Sequence, residues 1–480
     1  MTPLVVGLFL IALMLLANFW SVGRDFDEQR PLDVDDDLPW PEAAQASSVF
    51  SLTALFTAYL TVALVTGLPA LVGVALGTVL LLVRCRKIVE KSGALRFEQF
   101  VEQRLSTPAR QPLALAFLLV LMQLGLAVSE IVVLRNVAVA GFGMLSRHAL
   151  LLALAVAIVA YYYCLVGGYR TLFRADVVQF LAIGIMCVTL AYQGLQRIAH
   201  GTPILLSDRL RPNPAFWNFG FDRLAAPWNT LLLVATHVAI GFVMGAAYVA
   251  ASPDTWKRVF VAVRKRPSAG AFWRLVVAGA LPFAALIPFV IATPSPNLAT
   301  FVPITFFFRA QHLTLASSSV MIGILGTFLS SFAGALISIT QLMLLIRRSQ
   351  GRRSDLRTYR ITMGTAFLAT LAASLALGTQ GNPFFMGHVL IGAYSIAGGL
   401  LLGTRGVSRR IDPHRLRGSV TVLGCLWLSY LLSDGRSLNE WSAFRDSRAI
   451  AVGCAFFLIA FGLSFFIAPL SSEPAEQELP

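Results

Sequence analysis

Long apolar runs separated by short polar stretches recur from one end of this chain to the other. A hydrocarbon layer about 30 Å thick is crossed by a helix of about 20 apolar residues, and most of the runs approach that length. The pattern predicts an all-α polytopic membrane protein with thirteen spans, at 3–20, 49–67, 68–84, 112–141, 149–166, 174–195, 228–251, 271–292, 314–346, 359–378, 384–403, 418–433 and 449–468. Only "TGLPALVG" separates the second from the third. The stretches between spans differ in character. Residues 21–48 are acidic and contain proline, and the tail 471–480 is polar, so both are expected to be loosely ordered. The connection 196–227 is long and rich in proline and aromatics; it either caps an external entrance or serves as a structural loop.

Composition sharpens this picture. The chain is 57% hydrophobic and 13% charged over 480 residues, far too little charge to cover a soluble surface. A net charge of +14 could point to nucleic acid, but the basic residues lie mostly in short loops between apolar runs. With residue 1 outside, the loops expected inside hold 28 of the 38 Lys+Arg, those outside hold 9, and Arg135 lies within a span. Positive charge resists translocation, so the bias predicts an external N-terminus and a cytoplasmic C-terminus in a bacterial-type inner membrane. The partners expected are therefore the lipid bilayer and not nucleic acid. The first span lacks a basic leader and a small-residue cleavage site, which favours an uncleaved helix over a signal peptide. Five cysteines, Cys85, Cys164, Cys187, Cys425 and Cys454, are scattered through apolar runs without CxxC spacing and predict neither disulfides nor a zinc site.

Polar side chains inside such spans are the candidates for function. They include Glu130 and Arg135 in the fourth span, His237 in the seventh, Gln341 in the ninth and Tyr394 in the eleventh. Glu130 and Arg135 are five residues apart, do not share a helical face, and are expected to find other partners. "GGYRTLFRADVVQF" (167–180) reads as an inside loop entering the sixth span. Gly167 and Gly168 supply the turn, Arg170 and Arg174 the inside charges, and Asp176 sits near a helix start where the dipole favours an anion. Topology does not account for Gln179, an amide at bilayer depth. In "GILGTFLSSFAGALISITQL" (323–342), Thr327, Ser330 and Ser331 fall at i, i+3 and i+4 and share one helical face. Hydroxyls there either ligate a cation or pack between helices and bond back to their own carbonyls.

These two stretches resemble the sodium:solute symporter family. Gly167, Gly168, Asp176, Val177 and Gln179 match its GG…DVxQ signature, with Ala175 in place of the usual threonine. Residues 323–342 resemble its eighth core helix, with Ala333 where some members carry an acidic or hydroxyl side chain. Pro253 and Arg258 match a further motif in which Lys257 replaces glutamine, and Glu98, Phe100 and Arg104 match the segment before the third core helix.

The resemblance implies the inverted-repeat fold of the amino acid-polyamine-cation superfamily. Two inverted five-helix repeats would span 49–195 and 228–403, joined by the external loop 196–227. An extra N-terminal helix and acidic linker (1–48) precede them, and two C-terminal helices (404–470) follow. It implies a secondary active transporter, not an enzyme: sodium-coupled symport of a small organic solute by alternating access. Sodium would be held by Ser330 and Ser331, with Thr327 on the same face and backbone carbonyls of Thr57 and Leu60, one ion per cycle; Asp176 would lie on the ion's inward path. His237 would line the solute cavity, with Glu130 and Tyr394 as further contacts.

Two other functions remain open at this stage. A symporter-like membrane sensor would act through a separate protein partner, since no signalling module follows Leu470, and the departures at Ala175, Lys257 and Ala333 fit degraded transport. A membrane glycosyltransferase would use the acidic run Asp33 to Asp37 for a metal and donor phosphate, but that run is expected in the cytoplasm, opposite to where such lipid-donor enzymes act.

Overall fold

A computed structural model describes residues 68–94, 97–105, 113–142, 144–200, 227–265, 287–292, 315–349, 355–378, 383–403, 413–433 and 447–467, with a few isolated positions besides. Among the described residues the chain is wholly helical. The helices are α1 (Leu68–Ser92), α2 (Phe97–Leu105), α3 (Leu113–Phe142), α4 (Ser146–Ala199), α5 (Trp228–Ala251) and α6 (Pro253–Lys265). They continue with α7 (Ile287–Ala292), α8 (Leu315–Ser349), α9 (Leu356–Gly378), α10 (Pro383–Gly403), α11 (Pro413–Ser433) and α12 (Ser447–Ile467). Among the described residues, five stretches are long and apolar enough to cross a membrane: Leu115–Arg135, Ser146–Gly168, Ala175–Ala199, Trp228–Ala251 and Ser318–Arg348. The chain is an all-α polytopic membrane protein. The spans expected at 3–20 and 49–67, the acidic linker, most of the 196–227 connection and the polar tail lie outside the described residues.

Two helices differ from the hydropathy pattern for local reasons. α1 runs past the expected end at 84 because its basic continuation is also helical: Arg86 pairs with Glu90 one turn on, and the Arg84 guanidinium donates to the Leu402 carbonyl, 2.8 Å. It stops where Gly93 takes φ 61°, a torsion that favours glycine, while the Ser92 hydroxyl donates to Val89 O and accepts from the Ala94 amide. The expected loop between the fifth and sixth spans is not a loop. α4 is helical on both sides of Gly168, which alone carries non-helical torsions (φ 53°, ψ −140°). One residue free of a Cβ makes the whole reorientation, and the polar run 169–180 therefore belongs to a helix.

α8 is the axis of the assembly. Every residue from Leu325 to Thr340 is buried, which makes it a core helix and not a lipid-facing one. It packs chiefly on α4 and α3, while α10 packs on α12 and α5, and α1 pairs with α5. That last contact depends on four glycines. A Cβ at Gly73 would lie 2.0 Å from Val238 O, and one at Gly77 would lie 2.1 Å from Phe242 O. Opposite them, a Cβ at Gly241 would lie 2.0 Å from Ala70 O, and at Gly245 2.3 Å from Val74 O. Glycine four residues apart on both helices lets the backbones meet without side chains between them.

Candidate functional site

The polar centre is built where α4, α6 and α8 meet. α6 begins at a well-formed cap. The Ser252 hydroxyl accepts from the Thr255 amide, 3.3 Å, Pro253 occupies the first helical position, and the Trp256 indole reaches back to donate to Val249 O at 3.0 Å. This start fixes Asp254 in the first turn, where the helix dipole favours a carboxylate, and puts Arg258 one turn further on the same face.

Arg258, wholly buried, then joins three helices. Its Nε donates to Asp254 Oδ2 at 2.8 Å, and its Nη1 donates to Asp176 Oδ2 of α4 at 2.6 Å. Asp176 Oδ1 in turn accepts from the Ser330 hydroxyl of α8, 2.8 Å. Asp176, Arg258, Ser330 and Ser331 are all buried, none more than 3% exposed, so these are bonds made away from solvent. Breaking such a buried pair from one side leaves a charge uncompensated at a cost of about 3–5 kcal/mol. Ser331, next along α8, lies within hydrogen-bonding reach of the Glu130 carboxyl of α3. Neighbouring hydroxyls on α8 thus each lie near a carboxyl group, from α4 and from α3.

Aromatic side chains hold this frame. The Tyr163 hydroxyl donates to Leu329 O at 3.0 Å and the Tyr359 hydroxyl donates to Cys164 O at 3.1 Å, tying the first arm of α4 to α8 and α9. Gln179 is buried beside Tyr163, yet neither of its amide atoms completes a hydrogen bond among the described residues. An unpartnered amide here has no packing rationale and marks Gln179 as part of the polar centre. Lys257 is directed elsewhere. Its Nζ sits 4.5 Å from the centroid of the Phe97 ring, within an α2–α6 cluster of Phe97, Phe100 and Phe260.

The residues singled out in the sequence are distributed as follows. Ser330, Ser331, Asp176 and Glu130 converge on the centre, so Glu130 belongs beside the hydroxyl pair. Thr327 shares their helix but its hydroxyl donates to Ile324 O, 2.6 Å, the back-bond open to any membrane threonine. His237 is buried on α5 and its Nδ1–H donates to Leu233 O, 2.7 Å, within its own helix. Tyr394 packs obliquely on Tyr248, ring centroids 5.4 Å apart, with its hydroxyl near Gln123. Arg135 donates to the Ser146 hydroxyl. Gln341 lines a cavity of about 30 Å³ nearer the basic end of α8. Thr57 and Leu60 lie outside the described residues.

Two members of the centre carried no role in the sequence reading: Asp254, and Arg258 as the hub. The signal was present as an Asp/Arg pair at i, i+4 directly after a Ser-Pro cap, in a segment whose other side is aromatic.

No family model matches the chain, and no curated protein is similar to it. Among solved structures it is similar to a Na+-coupled sialic acid symporter in its substrate-bound, outward-open state, 16% identical, over 97% of this chain and 98% of that one, with a TM-score of 0.61. It is also similar to two mutant forms of an Eremococcus coleocola manganese transporter. One is 12% identical, with 89% and 93% of the two chains covered and a TM-score of 0.48; the other is 10% identical, with 92% and 97% covered and a TM-score of 0.49. The likeness to the symporter extends over almost the entire length of both chains and shows a shared fold.

Proposed function

We propose that this chain is a secondary active transporter of the sodium:solute symporter type, coupling sodium entry to uptake of a small organic solute. The observation that carries this reading is the buried Ser330–Asp176–Arg258 chain across α8, α4 and α6. It gathers hard oxygen ligands from two long helices, in a fold shared with a Na+-coupled symporter. Sodium binds at the Ser330 and Ser331 hydroxyls and the adjoining carboxylates, with carbonyls of Thr57 and Leu60 completing the shell. Asp176 receives the ion on its way inward. Arg258 holds Asp176 oriented, and the ion's arrival at Ser330 competes with the hydroxyl bond to Asp176, so that occupancy and the α4–α6–α8 latch respond to each other. His237 and Tyr394, on α5 and α10, face the solute. Transport requires no covalent chemistry. About 2.3 kcal/mol per charge per 100 mV of membrane potential, added to the sodium gradient, drives accumulation.

The test is thermal unfolding of the purified chain in sodium chloride against potassium and choline chlorides at equal ionic strength. A ligand specific to the folded state raises the midpoint with its concentration. Sodium alone should do so, and Ser330→Ala should abolish the shift; equal midpoints in all three salts would overturn sodium coupling. A solute screen in sodium then identifies the cargo, and proteoliposome uptake separates transport from sensing, since a sensor binds without accumulating.

A further inference from the structure

Asp254 and Asp176 share a single guanidinium. Arg258 satisfies Oδ2 of each, and the Ser330 hydroxyl satisfies Asp176 Oδ1, but Asp254 Oδ1 has no hydrogen-bond partner among the described residues although Asp254 is only 5% exposed. The neighbouring cation on α6, Lys257, has its Nζ 4.5 Å from the centroid of the Phe97 ring. The carboxyl lies against bare backbone: a Cβ at Gly334 of α8 would stand 3.2 Å from its Cγ and 3.3 Å from both oxygens. One turn further along the same face of α8, Ser338 is fully buried and its hydroxyl also lacks a partner among the described residues. Ser338 lines the cavity of about 30 Å³, with Pro253, Gln341 and, at its far end, Arg348. Ser330, Gly334, Ser338 and Gln341 are spaced at 4, 4 and 3 residues, which is one continuous helical face.

We propose that Asp254 and Ser338 form a second monovalent-cation station, one that takes sodium as it leaves Ser330 and Asp176 toward the basic end of α8. The station offers an unpartnered carboxyl oxygen against Gly334 and, one turn along α8, an unpartnered hydroxyl that lines the cavity of about 30 Å³. A side chain at Gly334 would press on the Asp254 carboxyl. The station rests on the symport reading above, and the experiment separates the two.

The experiment is equilibrium binding of radioactive sodium, with no solute, to the full-length chain in detergent, comparing wild type with Asp254→Asn, Ser338→Ala and Ser330→Ala. Asp254→Asn leaves Arg258 and Asp176 as a balanced pair, so the fold is retained; if it does not fold, Gly334→Ala takes its place, crowding the carboxyl without removing charge. Loss of a charged ligand costs about 1.5–3 kcal/mol, so Asp254→Asn should weaken sodium binding about 10- to 100-fold. Ser338→Ala should weaken it several-fold. Unchanged binding in Asp254→Asn overturns the station. So does weakened binding in Asp254→Asn with none in Ser338→Ala, because the charge would then be acting only from a distance on Ser330. If wild type itself binds no sodium, the symport reading falls first.

Discussion

Where α1 crosses α5, Gly73, Gly77, Gly241 and Gly245 bring two backbones together with no side chain between them; where α4, α6 and α8 meet, polar side chains make the junction. The first is a dry seam whose tolerance is set by sterics. The second is a charged centre whose tolerance is set by whether each ion has a partner. Water helps neither of them. In the seam there is no apolar driving force between helices, so close van der Waals contact is what holds them. In the centre, low dielectric makes satisfied bonds strong and an orphaned charge expensive.

The sharpest way to break the comparison is to put bulk into the seam. Gly77→Leu places a Cβ 2.1 Å from the Phe242 carbonyl and should cost at least about 3 kcal/mol, seen as loss of monodisperse protein; Gly184→Ala, with nothing within 4 Å, should leave yield unchanged. Next in size is charge removal from the centre. Arg258→Met strands Asp176 and Asp254 and should destabilise by about 3–5 kcal/mol, and adding Asp176→Asn should restore part of that in a double-mutant cycle. Ser330→Ala removes only one bond to a carboxylate, about 1.5–3 kcal/mol by thermal unfolding without sodium, and its larger effect should be on the sodium-dependent shift.

The smallest effect lies outside both regions. Asp355 caps α9, and the Thr358 hydroxyl, together with the Thr358 amide that donates to it at 2.8 Å, holds its carboxyl below the usual 3.8. The folded pKa is therefore depressed: the cap contributes above the unfolded value and is lost as pH falls through the folded one. Asp355→Ala should flatten the acid limb of unfolding slightly and leave neutral-pH sodium dependence unaltered.

Hydropathy alone located α3, α5, α8, α9, α10, α11 and α12 to within a few residues, because a span must be apolar for its length whatever it packs against. The Ser330–Ser331 pair and Asp176 were visible too, through the motifs they match. Other features were not legible. The break at Gly168 looked like a loop because its flanks are polar, yet they are helical, with Thr171, Asp176 and Gln179 buried. The glycine seam was present as "GVALG" and "GFVMG", but small-residue spacing does not say which helix it meets. Asp254 and Arg258 sat in what counted as loop charge, because positive-inside bookkeeping treats every basic residue alike.

The sequence by itself determined that the chain lives in a membrane, where it is apolar enough to cross, and which hydroxyls and carboxylates lie at depth. Those properties are sums over local chemistry. Only the tertiary structure decided that Asp176, Asp254, Ser330 and Arg258 are one charged unit, because that requires residues 82 and 154 positions apart in sequence to present their side chains to one another. A buried charge declares that it needs a partner; packing alone says which one it has.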